Sequence, residues 1–310
     1  MSRSVDVSTN ERAYFIEGLK AGIRLNGRRF DEIRYPHNIH LSKEEYGYVE
    51  LEWGKNKISV RVSSYIRKPF EDRPFEGIFN INCEINSMAS AKFENGKNSD
   101  EEVLISRIIE KSIRRSNSLD LESLCIIAGE KVWNITVDLN FLNYDGNFID
   151  IGCFGVMLAL QHFKKPDISI INGGEDIIVH DINEREPQPL SILHVPVCLT
   201  YCFYNITNQQ EVNIKGESTS DDIYLLDCDY KEDLLKSGSI IITLNKNREI
   251  IQLSKNGGIP IDASLLVDLA LGSIKVVDEL TDLMKKLIKD HEQQRFDELN
   301  LKLLQVGADR

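Results

Sequence analysis

Long apolar runs are missing from the sequence. One of its longest apolar stretches, "DIGCFGVMLAL" at residues 150–160, is well short of the roughly 20 residues that a membrane-spanning helix needs. The first 15 residues also lack the apolar centre of a secretory signal. These absences argue against an integral membrane protein, and we expect a soluble, intracellular chain with no membrane partner.

Paired cysteines and clustered histidines are missing too. Six cysteines are scattered through apolar segments without a CxxC pair, and six histidines occur without HxH or HxxxH spacing. This usage favours reduced, buried thiols over a disulfide framework. It also argues against a zinc site, because structural zinc needs closely spaced Cys and His ligands. We therefore predict no metal and no cofactor.

An excess of positive charge is absent as well. The 310 residues carry 37 Lys and Arg against 49 Asp and Glu, which gives a formal net charge of −12. The average surface would repel a polyanion. Any contact with nucleic acid therefore needs a local basic patch, or a channel formed together with other chains.

The segments that are present predict an α+β fold in two parts. In the first part, a helix at residues 9–23 precedes alternating strands, among them the hairpin "YGYVELEW"/"KISVRVSSY". An amphipathic helix at 100–120 follows, with Leu104, Ile108 and Ile113 near one face. Two further strands lead to a turn at 145–147 and to an apolar helix that starts near Ile151.

The second part repeats the order of strands and then helix. Strands are predicted at "LSILHVPVCLTYCFYN", "DIYLLDCD", "SIIITL" and "EIIQLS", before a long helical region that Gly272 interrupts. Residues 208–222 are predicted as one long exposed loop, and the charged residues after about 290 as a fraying tail.

A basic helix is the first candidate site. Its cations stand at spacings of 4, 7 and 8 residues, which places them on one side of a helix; they are Arg107, Lys111, Arg114 and Arg115. Such a row can contact successive phosphates of a nucleic-acid backbone. The alternative is an ordinary solvated helix face.

The segment "YIRKPFEDRPFEG" at residues 65–77 is the second candidate. It interleaves Arg67, Lys68 and Arg73 with three aromatic residues. Aromatic rings beside cations can stack on nucleotide bases. The two prolines equally allow a rigid loop whose rings cover the core.

Acidic residues near "LLDCDYKED" form the third candidate. Asp227, Asp229 and Asp233 follow a predicted strand, and carboxylates that converge there can hold Mg²⁺ or transfer a proton. Their ordinary role is a turn and the N-cap of a short helix. We retain Asp227 and Asp233 only as weak metal candidates.

The turn "LNYDGNFIDIG" at residues 142–152 resembles a phosphate cradle without a cation. A strand, an Asp-Gly turn and a helix start can present main-chain N–H groups to an anion. The turn itself contains neither Lys nor Arg. An anion bound there would lack charge compensation.

Six segments in this order resemble the ribonuclease PH family, and within it the core-ring subunits of the eukaryotic RNA exosome of the polymyositis/scleroderma autoantigen type. The resemblance covers approximately residues 10–290 and rests on "RLNGRRFDEIR", "DRPFEG", "SRIIEKSIRRSNSLDLESLCIIAGEKVW", "DGNFIDIG", "NEREPQPL" and "LNKNREIIQLSKNGGIPIDA". It implies an N-terminal helix and arm at 1–25, a domain at 26–290 with halves of about 26–189 and 190–290, and a charged tail at 291–310.

The resemblance also implies the function and its residues. Active members degrade RNA from its 3′ end by phosphorolysis, with a Gly-Thr-Arg segment that binds phosphate. Phe148 and Ile149 stand here in place of Thr and Arg, so the resemblance implies a retired phosphate site at Asp145, Gly146, Phe148 and Ile149. Asp227 and Asp233 keep the spacing of the family's acidic pair. Arg107, Lys111, Arg114, Arg115, Arg67 and Arg73 are then expected to contact RNA or a neighbouring subunit.

The resulting hypothesis is a non-catalytic ring subunit that supports 3′ to 5′ RNA processing and decay. The expected partners are other ribonuclease PH-like subunits, S1/KH-type cap subunits, a catalytic exosome nuclease and single-stranded RNA in the pore. The expected location is the nucleus, the nucleolus and the cytoplasm. The alternatives are an active phosphate-dependent 3′ to 5′ exoribonuclease and a free RNA-binding module.

Overall fold

The structure is a computed structural model that describes residues 7–90, 92–93, 99–171, 176–181, 184–204, 223–258 and 260–308. Within these residues no helix combines the length and apolar character needed to cross a membrane. The exposed loop predicted at 208–222 lies outside the described residues, as does Asn183 of the "NEREPQPL" segment.

The first large sheet has six strands. They are β1 (Pro36–Leu41), β2 (Tyr48–Trp53), β3 (Asn56–Arg67), β4 (Ile78–Ile85), β5 (Cys125–Ile127) and β6 (Lys131–Asn143). Their order is β1-β2-β3-β6-β4, with β5 paired to β6. All pairs are antiparallel except β4 with β6. The predicted hairpin is present as β2 and β3. Alternate side chains of β2 are buried, and this pattern specifies the register of the two strands.

Two small two-stranded sheets come between the two large sheets in the order of the chain. β7 (Lys164–Lys165) pairs with β10 (Gln188–Pro189), and β8 (Ile168–Ile171) pairs with β9 (Asp176–Val179). The second large sheet is antiparallel, in the order β12-β11-β13-β14. Its strands are β11 (Val197–Tyr204), β12 (Ile223–Leu226), β13 (Gly238–Leu244) and β14 (Ile250–Asn256).

Five α-helices complete the described fold. They are α1 (Thr9–Lys20), α2 (Asp100–Ile113), α3 (Phe148–His162), α4 (Tyr230–Leu235) and α5 (Ala263–Ala308). The apolar helix α3 packs against β2 and β3 of the first sheet and against β11 of the second. Nearly all of its residues are buried, so it forms the centre of the core between the sheets.

Several predicted boundaries differ from the structure. α1 ends at Lys20, and Ile23 is 63% exposed outside it. On α2, Leu104 points outward at 41% exposure, because the buried face is formed by Ile105, Ile108, Ile109 and Ile113 instead. α5 runs through Gly272 without a break, and residues 291–308, predicted as a tail, continue this helix.

Candidate functional site

The turn between β6 and α3 is held by a close approach of the backbone. Gly146 has a φ of +79°, and a Cβ at this position would lie 2.6 Å from the carbonyl oxygen of Cys228. Only glycine fits both the conformation and the space. Asn147 follows in the left-handed region, and its side chain does not cap the helix. The N-terminus of α3 therefore presents main-chain N–H groups without a side-chain cap.

Phe148 begins α3 and belongs to the core. It is 4% exposed. Its ring centroid lies 4.1 Å from that of Phe141, 4.6 Å from that of Tyr144 and 6.2 Å from that of Phe93. Ile149 follows it and is half-buried. These two residues were predicted to precede a helix that starts near Ile151, but they are the first helical residues. They contribute apolar packing where a phosphate site needs charge.

A cavity of about 290 Å³ remains at this helix terminus. One cation lines it, Lys236, and its Nζ lies 2.5 Å from Oδ1 of Asp233. Burial alone would lower the pKa of Lys236, but the charge of Asp233 outweighs burial and raises it. Asp100 and Glu101 add two further carboxylates. Electrostatics in the cavity therefore disfavour an anion.

Asp227 forms ion pairs with two arginine side chains. Its Oδ1 accepts from Nη2 of Arg34 at 2.7 Å and its Oδ2 from Nε of Arg34 at 2.9 Å, while Arg28 pairs with it at 3.3 Å. Burial would raise the pKa of Asp227, but the hydrogen bonds and charges of Arg34 and Arg28 lower it to about 2. Asp229, the third acid of this segment, pairs with Arg28 at 2.5 Å.

Asp233 has different partners. It accepts a hydrogen bond of 2.7 Å from the hydroxyl of Tyr144 and pairs with Lys236. The acidic pair is thus divided between an arginine group and a Tyr–Lys group. Across the described residues no set of three or more His, Cys, Asp or Glu side chains is arranged to hold a metal ion.

The feature that sequence reasoning missed is an arm at residues 24–34, in which Arg24, Arg28 and Arg34 pair with distant acids. Arg24 is buried and donates to both carboxylate oxygens of Glu232, at 2.8 and 2.7 Å. Arg34 pairs with Asp227 and also with Asp145 of the turn between β6 and α3, where its Nη1 lies 3.1 Å from Oδ2 of Asp145. The only sequence signal was the density of arginine in "RLNGRRFDEIR", because the acidic partners lie about 200 residues away.

Asp150 links the site to the second sheet. Its carboxylate accepts from the main-chain N–H and the hydroxyl of Thr200, at 3.0 and 2.7 Å, and from Nδ2 of Asn147 at 2.8 Å. Burial raises its pKa to about 7, although these hydrogen bonds act in the opposite direction. Asp150 is therefore a buried connector of α3 and β11.

The basic helix is partly neutralised. Arg107 and Arg114 both pair with Glu110, at 3.3 and 3.1 Å. Arg114 and Arg115 follow the last residue of α2, and Arg115 is exposed, as is Lys111. The structure describes no ion pair for Lys111 or Arg115. The net positive charge of this surface therefore comes mainly from these two residues.

The segment at 65–77 begins at the end of β3, and its loop after Arg67 meets the end of the basic helix. Arg73, Arg114 and Phe70 line one cavity of about 250 Å³. Phe70 is 59% exposed, and Arg73 pairs with Glu76 at 3.0 Å. Arg67 is exposed at the end of β3, outside that cavity. Two clusters that the sequence presents 41 residues apart thus share a surface with both cations and an exposed ring.

Comparison with known proteins gives the family. The chain matches the 3′ exoribonuclease family, with domain 1 at residues 34–166 and domain 2 at residues 194–269. It is 46% identical over 297 residues to the exosome complex component RRP45 of Saccharomyces cerevisiae, covering 95% of each chain. It is also 41% identical to the exosome complex component rrp45 of Schizosaccharomyces pombe, and the match covers 91% of this chain and 93% of that relative.

A solved structure has the same fold. The match is to a chain of the Archaeoglobus fulgidus exosome with RNA bound to the active site, at a TM-score of 0.71 and 26% identity. It covers 88% of this chain and 97% of that one. The predicted α+β fold of the ribonuclease PH type is confirmed. Since the two family domains together match more than half of its residues, this protein belongs to the 3′ exoribonuclease family of ribonuclease PH.

Proposed function

We propose that this chain is a non-catalytic structural subunit of an RNA exosome ring. It assembles with other ribonuclease PH-like subunits and supports 3′ to 5′ RNA processing and decay by guiding RNA through the pore. The names of its fungal relatives support this role. The observation that carries the non-catalytic part is the start of α3, where Phe148 is packed into the core in place of a phosphate ligand.

Three features argue against phosphorolysis by this chain. Residues 148–162 of α3 contain no Arg or Lys, so the N-terminus of this helix would face a phosphate dianion without a cationic partner from its own helix. Lys236 is already paired with Asp233. Asp227 is enclosed by arginines and is not free to assist a reaction.

RNA contact is assigned to the shared basic surface. Arg73, Arg114 and the exposed ring of Phe70 line one cavity together with Asp72 and Glu76. The excess positive charge of this surface therefore comes from Lys111 and Arg115 at the same end of α2. Cations can follow the phosphate backbone while an aromatic ring stacks on a base. This local surface reconciles RNA binding with a net charge of −12, since the rest of the protein can remain acidic.

The proposed partners follow from this role. They are the neighbouring ring subunits, S1/KH-type cap subunits, a catalytic exosome nuclease and single-stranded RNA. The catalytic step is then performed elsewhere in the assembly.

The test of the non-catalytic role is a phosphorolysis assay. The purified chain, alone and mixed with candidate ring subunits, is incubated with single-stranded RNA, Mg²⁺ and phosphate. We expect a stable complex by native mass spectrometry and no nucleoside diphosphates from the chain alone. Phosphate-dependent products from the isolated chain that disappear in Asp233→Asn would establish the alternative, an active exoribonuclease.

The RNA surface is tested separately in the assembled complex. Arg114→Glu combined with Arg115→Glu should shorten the RNA length that is protected from nuclease. If each arginine contacts one phosphate, the slope of log K against log salt should fall by about 0.7 per residue. Arg29→Glu is the matched control, because Arg29 is an exposed arginine outside this surface. Equal protection in all three complexes would refute the assignment.

A further inference from the structure

A further cavity lies where the arm at residues 24–34, the second large sheet and α5 meet. Thr200 of β11 points to Asp150 of α3, and successive residues of a strand point to opposite faces, so Tyr201 faces α5. The cavity on this side has a volume of about 330 Å³, which is within the range of small-molecule sites. It shares no lining residue with the cavity at the N-terminus of α3.

Three tyrosines line this cavity. Tyr201 is 4% exposed, and its hydroxyl is hydrogen-bonded to the hydroxyl of Ser273 at 2.7 Å, which fixes the ring. The ring of Tyr224 stands edge-on to it, with the two centroids 6.2 Å apart. Tyr35 is 52% exposed, and its hydroxyl donates to Oε2 of Glu279 at 2.5 Å. Since an aromatic face attracts a cation within about 6 Å of the ring centre, these rings favour a positively charged ligand.

The charged residues around the cavity have the same preference. Four carboxylates and only two cations line it; they are Asp31, Glu32, Asp268 and Glu279 against Arg29 and Lys275. Arg29 already lies 3.7 Å from Asp31. Asp268 is exposed on α5, and no ion pair to it is found among the described residues. The cavity therefore offers a carboxylate that is available to a cation from outside the chain.

Gly272 keeps the cavity open. It lies inside α5, where glycine is less favourable than every residue except proline. Its φ is not positive, and a Cβ at this position would meet no atom within 4 Å, so neither the backbone nor the packing requires a glycine. Gly272 lines the cavity, and its missing side chain leaves space there. An unexplained glycine inside a helix commonly has a functional reason, and room for a ligand supplies one.

A guanidinium group fits these features better than other cations. It is planar and stacks on aromatic faces, and it pairs with a carboxylate through two parallel hydrogen bonds. We propose that this cavity binds an arginine side chain from a basic segment of a partner protein, with the guanidinium against the tyrosine rings and paired with Asp268. The excess of acidic residues disfavours an RNA phosphate at the same place.

The test measures binding of capped pentapeptides to the full chain by ligand-observed NMR. The peptides carry arginine, lysine or citrulline between glycines, and citrulline is the neutral counterpart of arginine in shape. We expect the arginine peptide to bind with a Kd of about 1 mM, and the citrulline peptide to bind at least about tenfold more weakly. The lysine peptide should bind less tightly than the arginine peptide, because an ammonium group cannot stack as a plane.

Asp268→Asn tests the carboxylate. It should weaken binding of the arginine peptide about tenfold, because the charged partner is lost. Asp290→Asn is the matched control, since Asp290 is also an exposed acid on α5 and does not line the cavity. It lies 22 residues further along α5, about 33 Å away.

Gly272→Leu tests the space. The new side chain should fill the cavity and weaken binding of the arginine peptide, whereas the Tm should not fall, because leucine is a better helix former than glycine. The inference is overturned if the arginine peptide does not bind, if the citrulline or lysine peptide binds equally well, or if Asp268→Asn behaves like Asp290→Asn. Unchanged binding in a folded Gly272→Leu would overturn it too. None of these outcomes depends on phosphorolysis or RNA binding, so the proposed function is tested separately.

Discussion

Replacing Arg34 tests the arginine arm as the connection between the two halves. Its guanidinium makes hydrogen bonds to Asp227 of the second half and to Asp145 beside α3, and its side chain is 9% exposed. In Arg34→Met, the carboxylate of Asp227 stays buried and loses its principal partner. Removing one member of a buried ion pair costs about 3–5 kcal/mol. We therefore expect this loss in the free energy of unfolding, and a fall in Tm on the order of 10 °C.

The loss should depend on pH in a defined direction. The folded pKa of Asp227 is about 2, below the value of about 3.9 of an unperturbed Asp. The ion pair thus stabilises the wild-type fold above pH 4 and loses this effect as the pH falls from about 4 to 2. The difference between wild type and Arg34→Met should be largest near pH 7 and should shrink below pH 4.

Urea unfolding followed by circular dichroism measures both effects. Arg29→Met is the control in the same arm, because Arg29 is 82% exposed and its ion pair of 3.7 Å should contribute less than about 0.5 kcal/mol. Adding Asp227→Asn to Arg34→Met should recover part of the stability, since the buried charge is removed. The reasoning is refuted if Arg34→Met unfolds within about 1 kcal/mol of wild type, or if the second substitution deepens the loss.

Three further outcomes are expected. Phe148→Ala should lower the free energy of unfolding in urea by about 3–5 kcal/mol, because it opens a space in the core; a smaller loss than that of the exposed Phe296→Ala would contradict the packing described. Gly272→Ala should raise the Tm by an amount equivalent to about 0.8–1 kcal/mol, since Gly272 is inside a helix and a Cβ would meet no atom within 4 Å; a lower Tm would argue for a hidden clash. Burial, aided by nearby positive charge, lowers the pKa of His162 to about 3 and also lowers the pKa of His291. The free energy of unfolding should therefore fall as the pH drops from about 6.5 toward 3. The variant His162→Gln should lose less stability over this range, which a series of urea unfolding midpoints at different pH values would measure.

Short sequence patterns correctly predicted those helices and strands whose formation depends on residues close together in the chain. The alternation along Tyr48–Trp53 predicted a half-buried strand, and the alternation is the burial pattern of β2. The start of α3 was placed three residues too late. Gly146 and the left-handed Asn147 allow the chain to turn directly into a helix, so Phe148 is already helical. A short stretch of sequence around the turn is typical of one continuous turn, because it does not contain Cys228 and Asp229, the loop residues that Gly146 approaches.

Features that depend on distant residues were not predictable. Leu104 has the spacing of a buried helix residue, yet it borders a cavity that includes residues of α3 and β13. The interruption predicted at Gly272 did not account for the packing that holds α5 against β11 and β13. The ion pairs that the arginine arm makes with Asp227 and Glu232 join residues 193 to 208 positions apart, and no local pattern records such a pairing.

These long separations have a consequence for synthesis. The arm at residues 24–34 leaves the ribosome about 200 residues before Asp227 and Glu232, so Arg24 and Arg28 lack their acidic partners while most of the chain is being made. A fragment that ends before residue 227 would keep these two arginines without their partners beside an incomplete core. We therefore expect translation products that end before residue 227 to be retained by chaperones and degraded, because the arm completes its native ion pairs only when the last third of the chain is present.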